Sequence, residues 1–423
     1  MRHVLLAVTA VLILYALLWP DAPYFAPDTT DYLRFADDLQ DLRQERMHYR
    51  TIGYPLILCV VGSGRGLYYT QLAMHGVAVG LLATLLHGLG TGRRWIAVFL
   101  VLSLLPPTVE TAAEVLTETV TQFYLVIGVV GLVGWKTHSQ AWWLVASGLA
   151  FSLAAVTRPA YQLLAVIIIL TMLIGDRRRN WRAVLALGIT TLIVVGGYSI
   201  YNAYWFDYPG VTPYLGFNLS TRTTRFVERL PDEYATEREI LVHHRDQALL
   251  EQQQYNEPGI THTGVWYILR ASPDLQEALG KDEAGLAQHM VRLNLILIYR
   301  EPLEYLTDVG RAMVTFWFPF AQHANFGSRW LYLIWSVVHF SVIGVWAASA
   351  MAVLCNGLFI KLRRPAPGQQ HHARQLAMWL CGGIVIYTMV VSSAFNIGEP
   401  RHRMPTELLI FTLLALQQDS LTR

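Results

Sequence analysis

The run Val4–Trp19, VLLAVTAVLILYALLW, followed by Asp21–Pro55, DAPYFAPDTTDYLRFADDLQDLRQERMHYRTIGYP, decides how this chain is built. An uncharged apolar segment with Arg2 ahead of it runs directly into a polar stretch carrying both signs of charge. The start resembles a secretion signal, but no small-x-small cleavage site occurs before Trp19-Pro20, so it reads as an uncleaved first helix. Its basic end stays in the cytoplasm under the positive-inside rule, which puts Asp21–Arg50 on the outer face. Within that loop Tyr32, Phe35, Ala36, Leu39 and Leu42 recur at helical spacing with Asp37, Asp38 and Asp41 between them. The pattern predicts an amphipathic helix lying along the membrane interface.

Composition supports the same class throughout. Of 423 residues, 54% are hydrophobic and only 15% charged, and apolar runs of spanning length recur; a crossing needs roughly 20 such residues. Lipid leaves helices as the only open-chain solution, so the expectation is an all-α polytopic membrane protein with about ten to thirteen spans. A net charge of +2 says nothing about nucleic acid, but no basic, aromatic-interleaved patch occurs, so nucleic acid is not expected as a partner. Cys59, Cys355 and Cys381 sit in apolar runs without CxxC spacing, as buried inert thiols do.

Reading onward, Pro55–Val61 is too short to span and ends at Gly62-Ser63-Gly64. Leu67–Leu89, Trp95–Leu105, Thr119–Trp135, Ala141–Thr157, Ala160–Gly175 and Ala183–Tyr204 then alternate across the bilayer. An outer loop at Thr108–Thr117 carries Glu110 and Glu114. Basic clusters at Arg93-Arg94, Arg177–Arg179 and Lys361–Arg364 mark the cytoplasmic side. Three portions follow: a membrane domain over 1–204 carrying the catalytic outer loops, an extracytoplasmic region over 205–321, and C-terminal membrane helices over 322–423. The middle portion is acid-rich with Lys281 its sole lysine, loop-like around Gly216, and helical by periodicity at Thr236–Gln254 and Glu283–Tyr299. Both termini fall inside. Arg50 and Arg401–Arg403 are the cations that break the positive-inside pattern.

Several short motifs recur in order. They are Asp28-x-x-x-Tyr32-x-x-x-Ala36, Arg50-Thr51-Ile52-Gly53-Tyr54-Pro55, Leu116-Thr117-Glu118, Ala155-Val156-Thr157-Arg158-Pro159, Tyr201-Asn202 with Gly216-Phe217-Asn218-Leu219, and Arg401-His402-Arg403-Met404-Pro405. Taken together they resemble the C-type (GT-C) glycosyltransferases, with Ile52 and His402 departing from the family's proline and tyrosine. The resemblance covers most of the first 220 residues and the last 30 or so. It implies a membrane enzyme of the cell envelope that takes a sugar from a polyprenyl-phosphate donor, similar to those that modify bacterial lipid A or wall glycans.

The residue types suit that chemistry independently. An acceptor hydroxyl needs a carboxylate base within hydrogen-bond reach; Asp28 is the candidate and Asp31, one turn on, competes. Asp28 could instead cap the helix beginning near Thr29. Glu118 would orient the acceptor, share a cation with Asp28 or shift its proton affinity, or simply favour a helix N-terminus. A phosphate leaving group gains charge as the glycosidic bond breaks, and Arg50, Arg158, Arg401 and Arg403 are the cations to meet it; each could alternatively snorkel to phospholipid. Tyr54, Glu114 and His402 are further candidates for sugar or acceptor contacts. No metal-ligand spacing occurs, and no cofactor is required, although two converging carboxylates would accept a divalent cation. His243-His244, His371-His372, Gly62–Gly66 and the sequon at Asn218 carry no chemistry on this reading. The rival class is a transporter or flippase of lipid-linked glycans, which should place ionisable residues near span centres or use paired broken helices.

Overall fold

The computed structural model describes residues 2–18, 23–43, 47–174, 177–254, 263–320, 329–360 and 369–422. Asp21, Arg46 and the cluster Lys361, Arg363 and Arg364 lie outside them. Among the described residues every regular element is a helix, and extended backbone pairs only at an isolated parallel bridge between Tyr24 and Glu114. Among the described residues four helices are long and apolar enough to cross a bilayer: Arg65–Gly88, Glu118–His138, Asn180–Phe206 and Gln370–Phe395. A fifth crossing arises if Arg93–Ser103 and Pro106–Ala113, bent by 64°, count as one. The protein is an all-α, polytopic helical membrane protein.

Leu6–Leu18, Ala141–Thr157 and Pro159–Leu173 are apolar but shorter, and Tyr332–Ala348 is an apolar stretch within the longer helix Arg329–Ile360. By length and composition, then, fewer helices qualify as spans than the expected ten to thirteen or so. Pro106 and Pro159 each lack the N–H that would continue a helix, and the helices that end just before them, Arg93–Ser103 and Ala141–Thr157, are short.

The membrane helices pack around Leu82, Phe99, Leu125, Phe151, Ile384 and Leu409, all buried. A separate core forms in the middle portion, where Phe217, Phe226, Tyr267, Ile268, Leu275, Leu286 and Met290 meet. It is built by Leu215–Thr223, Ala235–Gln254, Thr263–Leu279 and Glu283–Arg300. Two of these are the helices expected from periodicity. Leu215–Thr223 is new, and Gly216 serves not as a loop residue but as a point of close approach. A Cβ there would lie 2.2 Å from the Ala287 carbonyl oxygen, so only glycine lets the two helices touch.

Two local expectations change. The helix Thr29–Gln40 buries Tyr32, Phe35 and Ala36 against protein, beside Tyr54, Leu58 and Leu116, rather than laying them on lipid. The segment Thr108–Thr117 is no exposed loop: Glu110 and Glu114 are each 1% exposed, because Pro106–Val109 and the 3-10 turn Glu110–Ala113 fold back into the bundle.

The helix ends sort into two sets. Asp28, Arg50, Glu118, Arg158 and Arg401 meet at one end of the bundle. At the other, Asp419 accepts from the Gly92 N–H at 2.9 Å and pairs with Arg374 at 2.9 Å.

Candidate active site

The turn before Asp28 is stitched in place. Tyr24 N–H donates to the Ala113 carbonyl at 2.7 Å, and Val115 N–H donates to the Tyr24 carbonyl at 3.0 Å. Thr29 Oγ1 accepts from Ala26 N–H and donates to the Val115 carbonyl. These bonds bring the start of one helix beside the stretch leading to Glu118. Asp28 occupies the N-cap position of Thr29–Gln40 yet makes no side-chain cap bond. Its carboxylate instead accepts from Arg50 Nη2 at 2.7 Å on one oxygen and from Arg401 Nη2 at 2.7 Å on the other.

Glu118, 1% exposed, accepts from Arg158 Nη1 at 2.7 Å, and Arg401 Nε lies 3.2 Å from the same oxygen. Arg401 thus bridges the two carboxylates. Arg158 is aimed here by its sequence: the residue before a proline is pushed out of helical geometry, and its φ of −139° and ψ of 111° end the helix Ala141–Thr157. Arg50 lies between two rings, with its guanidinium carbon 5.2 Å from the Tyr32 centroid and 5.3 Å from that of Tyr214. Such cation–π contacts add to the ion pair and fix the plane of the fork.

These groups line a cavity of about 290 Å³. Its charged floor is Asp28, Arg50, Glu118, Arg158 and Arg401, with His402 beside them. An apolar wall comes from Leu163, Tyr387, Val391 and Phe395, and a tyrosine-rich rim from Tyr49, Tyr208 and Tyr214. Three guanidiniums and two carboxylates line the cavity, and Asp31 at its edge pairs with Arg50 as well. Burial works to raise the Asp28 carboxyl, but Arg50 and Arg401 overrule it and hold it well below the usual carboxylate range. Burial, joined by Arg158 and Arg401, drives His402 well below its ordinary value, so this histidine is neutral.

The remaining candidates sit elsewhere. Asp31 stays at the edge, 3.3 Å from Arg50 and outside the cavity lining. Tyr54 is fully buried and donates to Gln71 at 3.3 Å. Arg403 turns away from Arg401 and is 1% exposed. It donates to the carbonyls of Phe316 at 2.5 Å and Phe318 at 2.8 Å and to Glu407 at 2.9 Å, and it does not line the cavity. Among the described residues no three His, Cys, Asp or Glu side chains are grouped to hold a metal ion. Thr212 was not singled out from sequence, yet its hydroxyl donates to the Tyr49 carbonyl at 2.5 Å and seats the rim on Arg50's segment; no sequence signal marks it.

Glu114 is buried with neither carboxylate oxygen hydrogen-bonded among the described residues, in the stretch between the 3-10 turn and the Glu118 helix. Burial first, then the Glu118 and Glu110 carboxylates, push it up to about 8 from an ordinary 4.5. The folded carboxyl keeps its proton where an unfolded one releases it. Stability is therefore full below about pH 4.5 and falls as the pH rises towards about 8. Glu114→Gln should flatten that fall, so melting midpoints taken near pH 5 and pH 8 should draw together relative to wild type.

No family model matches the chain, and no curated protein matches it. A crystal structure of ArnT from Cupriavidus metallidurans in the apo state is similar to it at 14% identity and a TM-score of 0.35. The match covers 98% of this chain and 76% of that one. A likeness that loose carries no argument about function, which rests on the side chains gathered around Asp28.

Proposed function

We propose that this protein is a membrane glycosyltransferase that moves a sugar from a polyprenyl-phosphate donor to an acceptor outside the cytoplasm, with inversion. The observation that carries the reading is the Asp28–Arg401–Glu118 bridge, in which a candidate base and a candidate phosphate ligand share one cavity. A phosphodiester donor carries one negative charge, and Arg50, Arg158 and Arg401 are the cavity-lining cations that would meet it. In the reaction the acceptor oxygen bonds to the anomeric carbon as the bond from that carbon to the phosphate oxygen breaks. The bonding pair leaves with the phosphate, where Arg50, Arg158 and Arg401 stabilise the new charge more in the transition state than in the ground state. Asp28 takes the acceptor proton.

A carboxylate held so far below its ordinary range is a weak base. Donor binding removes that obstacle. Phosphate oxygens compete for the two guanidiniums, Asp28 loses part of their hold, and its proton affinity rises. Glu118, paired with Arg158, keeps that arginine in place. On this reading the site faces the outer side of a cell inner membrane, both termini lie in the cytoplasm, and residues 205–321 supply the acceptor side. A divalent cation is not needed.

One observation leans towards the transporter alternative: the 64° break between Arg93–Ser103 and Pro106–Ala113. The charged groups nevertheless gather at one end of the bundle, which suits one-sided chemistry. Mass spectrometry of envelope glycans and glycolipids from a deletion strain decides between them. The expected result is loss of one sugar modification, restored by the wild-type gene and not by Asp28→Asn or Glu118→Gln. Unchanged glycans would overturn the enzyme reading.

A further inference from the structure

Arg401 lies in the 3-10 turn Pro400–Thr406, which follows the helix Gln369–Phe395. Several residues of the stretch 394–403 are fastened to the helices Leu215–Thr223 and Pro302–Thr315 or to the residues just after the latter. The Ala394 carbonyl accepts from Tyr305 Oη at 2.9 Å. The Asn396 carbonyl accepts from Arg222 Nε at 2.7 Å. Gly398 has φ of +65° and lies so close that a Cβ would sit 2.7 Å from that of Ala312. Arg403 reaches the carbonyls of Phe316 and Phe318.

Tyr305, Asp308 and Ala312 lie three and four apart, one face of the helix Pro302–Thr315, and Phe316 continues that face. Asp308 completes the set by holding Arg222. Its two oxygens take Arg222 Nη1 at 2.8 Å and Arg225 Nη1 at 3.1 Å. Arg222 and Asp308 are each about one-twentieth exposed, and Arg222 Nη2 has no hydrogen-bond partner among the described residues. Burying an ion pair with a donor left over is costly for stability alone, so packing does not account for it. The opposite face of the same helix presents Leu303, Leu306 and Val314 to the outside.

We propose that this helix face, together with Arg222, is a splint that sets the position of Arg401. Arg222, Tyr305 and Asp308 are positioning residues and touch neither donor nor acceptor. The inference rests on the proposed role of Arg401 only for its effect on ligand. The splint itself is a statement about the chain.

The test uses the full-length protein in lipid nanodiscs, with polyprenyl phosphate as the probe and Arg222→Gln and Tyr305→Phe as the variants. Hydrogen exchange should show peptides over 394–401 losing protection about tenfold in either variant, while Leu293 and Leu297 in the neighbouring core keep theirs. Polyprenyl phosphate should bind about tenfold more weakly to Arg222→Gln. In an Arg401→Gln background the same substitution should cost no further affinity, since coupled residues lose their effect together. Unchanged protection over 394–401, or an additive loss of affinity in the double variant, would overturn the proposal. If Arg222→Gln does not fold, Tyr305→Phe removes one hydroxyl and decides through exchange alone. If the wild type fails to bind polyprenyl phosphate while the segment still loosens, the functional reading falls and the splint stands.

Discussion

Asp28→Asn should abolish transfer, by about 10²–10⁴-fold in turnover, while polyprenyl phosphate binds as well as before or up to roughly tenfold tighter. The two halves of that expectation have one cause. In the free protein both Asp28 oxygens are taken by the guanidiniums that a phosphate needs, so the carboxylate competes with the ligand. An amide keeps the shape, gives up the charge and no longer competes. A residue needed only for structure would lose binding and turnover together. Binding by native mass spectrometry beside a transfer assay separates the cases, and weaker binding in the variant would contradict the exchange of partners.

Arg401→Gln should be the most damaging single change at the floor. Arg401 alone reaches both carboxylates, at 2.7 Å to Asp28 and 3.2 Å to Glu118. Removing it leaves two anions beside each other with one fewer cation, in a site where Glu118 is 1% exposed. Breaking such a pair costs about 2–4 kcal/mol, below the fully buried range because Arg401 itself is 20% exposed. Affinity for polyprenyl phosphate should fall about 10–1,000-fold. Arg401→Lys should rescue little, because a compact ammonium lacks the planar guanidinium that lies within ion-pair distance of both carboxylates. Thermal melts and binding with both variants check this, and full rescue by lysine would show that charge alone suffices.

Much of the floor was legible in the sequence because each member sits at a helix end marked by local chemistry. Pro159 turns Arg158 outward, Thr29 follows Asp28 as a helix start, and Thr117-Glu118 heads an apolar run. Arg401 and Arg403 could not be told apart. They share one motif and one charge, and only the path of the 3-10 turn sends one into the cavity and the other towards Phe316 and Phe318. The acidic stretch Glu110–Glu114 misled for a related reason: carboxylates read as exposed, whereas here they are buried by the fold-back of Pro106–Val109. Thr263–Leu279 escaped notice because Pro273 lies inside it, although Tyr267, Ile268, Ala271 and Leu275 keep helical spacing and are buried. The tyrosines over Arg50 came from distant segments with no shared pattern, so no local signal joined them.

The Asp28–Arg401 pair joins residues 373 positions apart. A ribosome that has made Asp28 must add a further 373 residues before this arginine is present. Until then the nascent protein carries Asp28 and Glu118 without their shared counter-ion, and slow, long-range closure of this kind leaves partly assembled species exposed. The bridge is therefore closed late in synthesis, and a chain cut short before residue 401 holds Asp28 and Glu118 without the arginine that joins them.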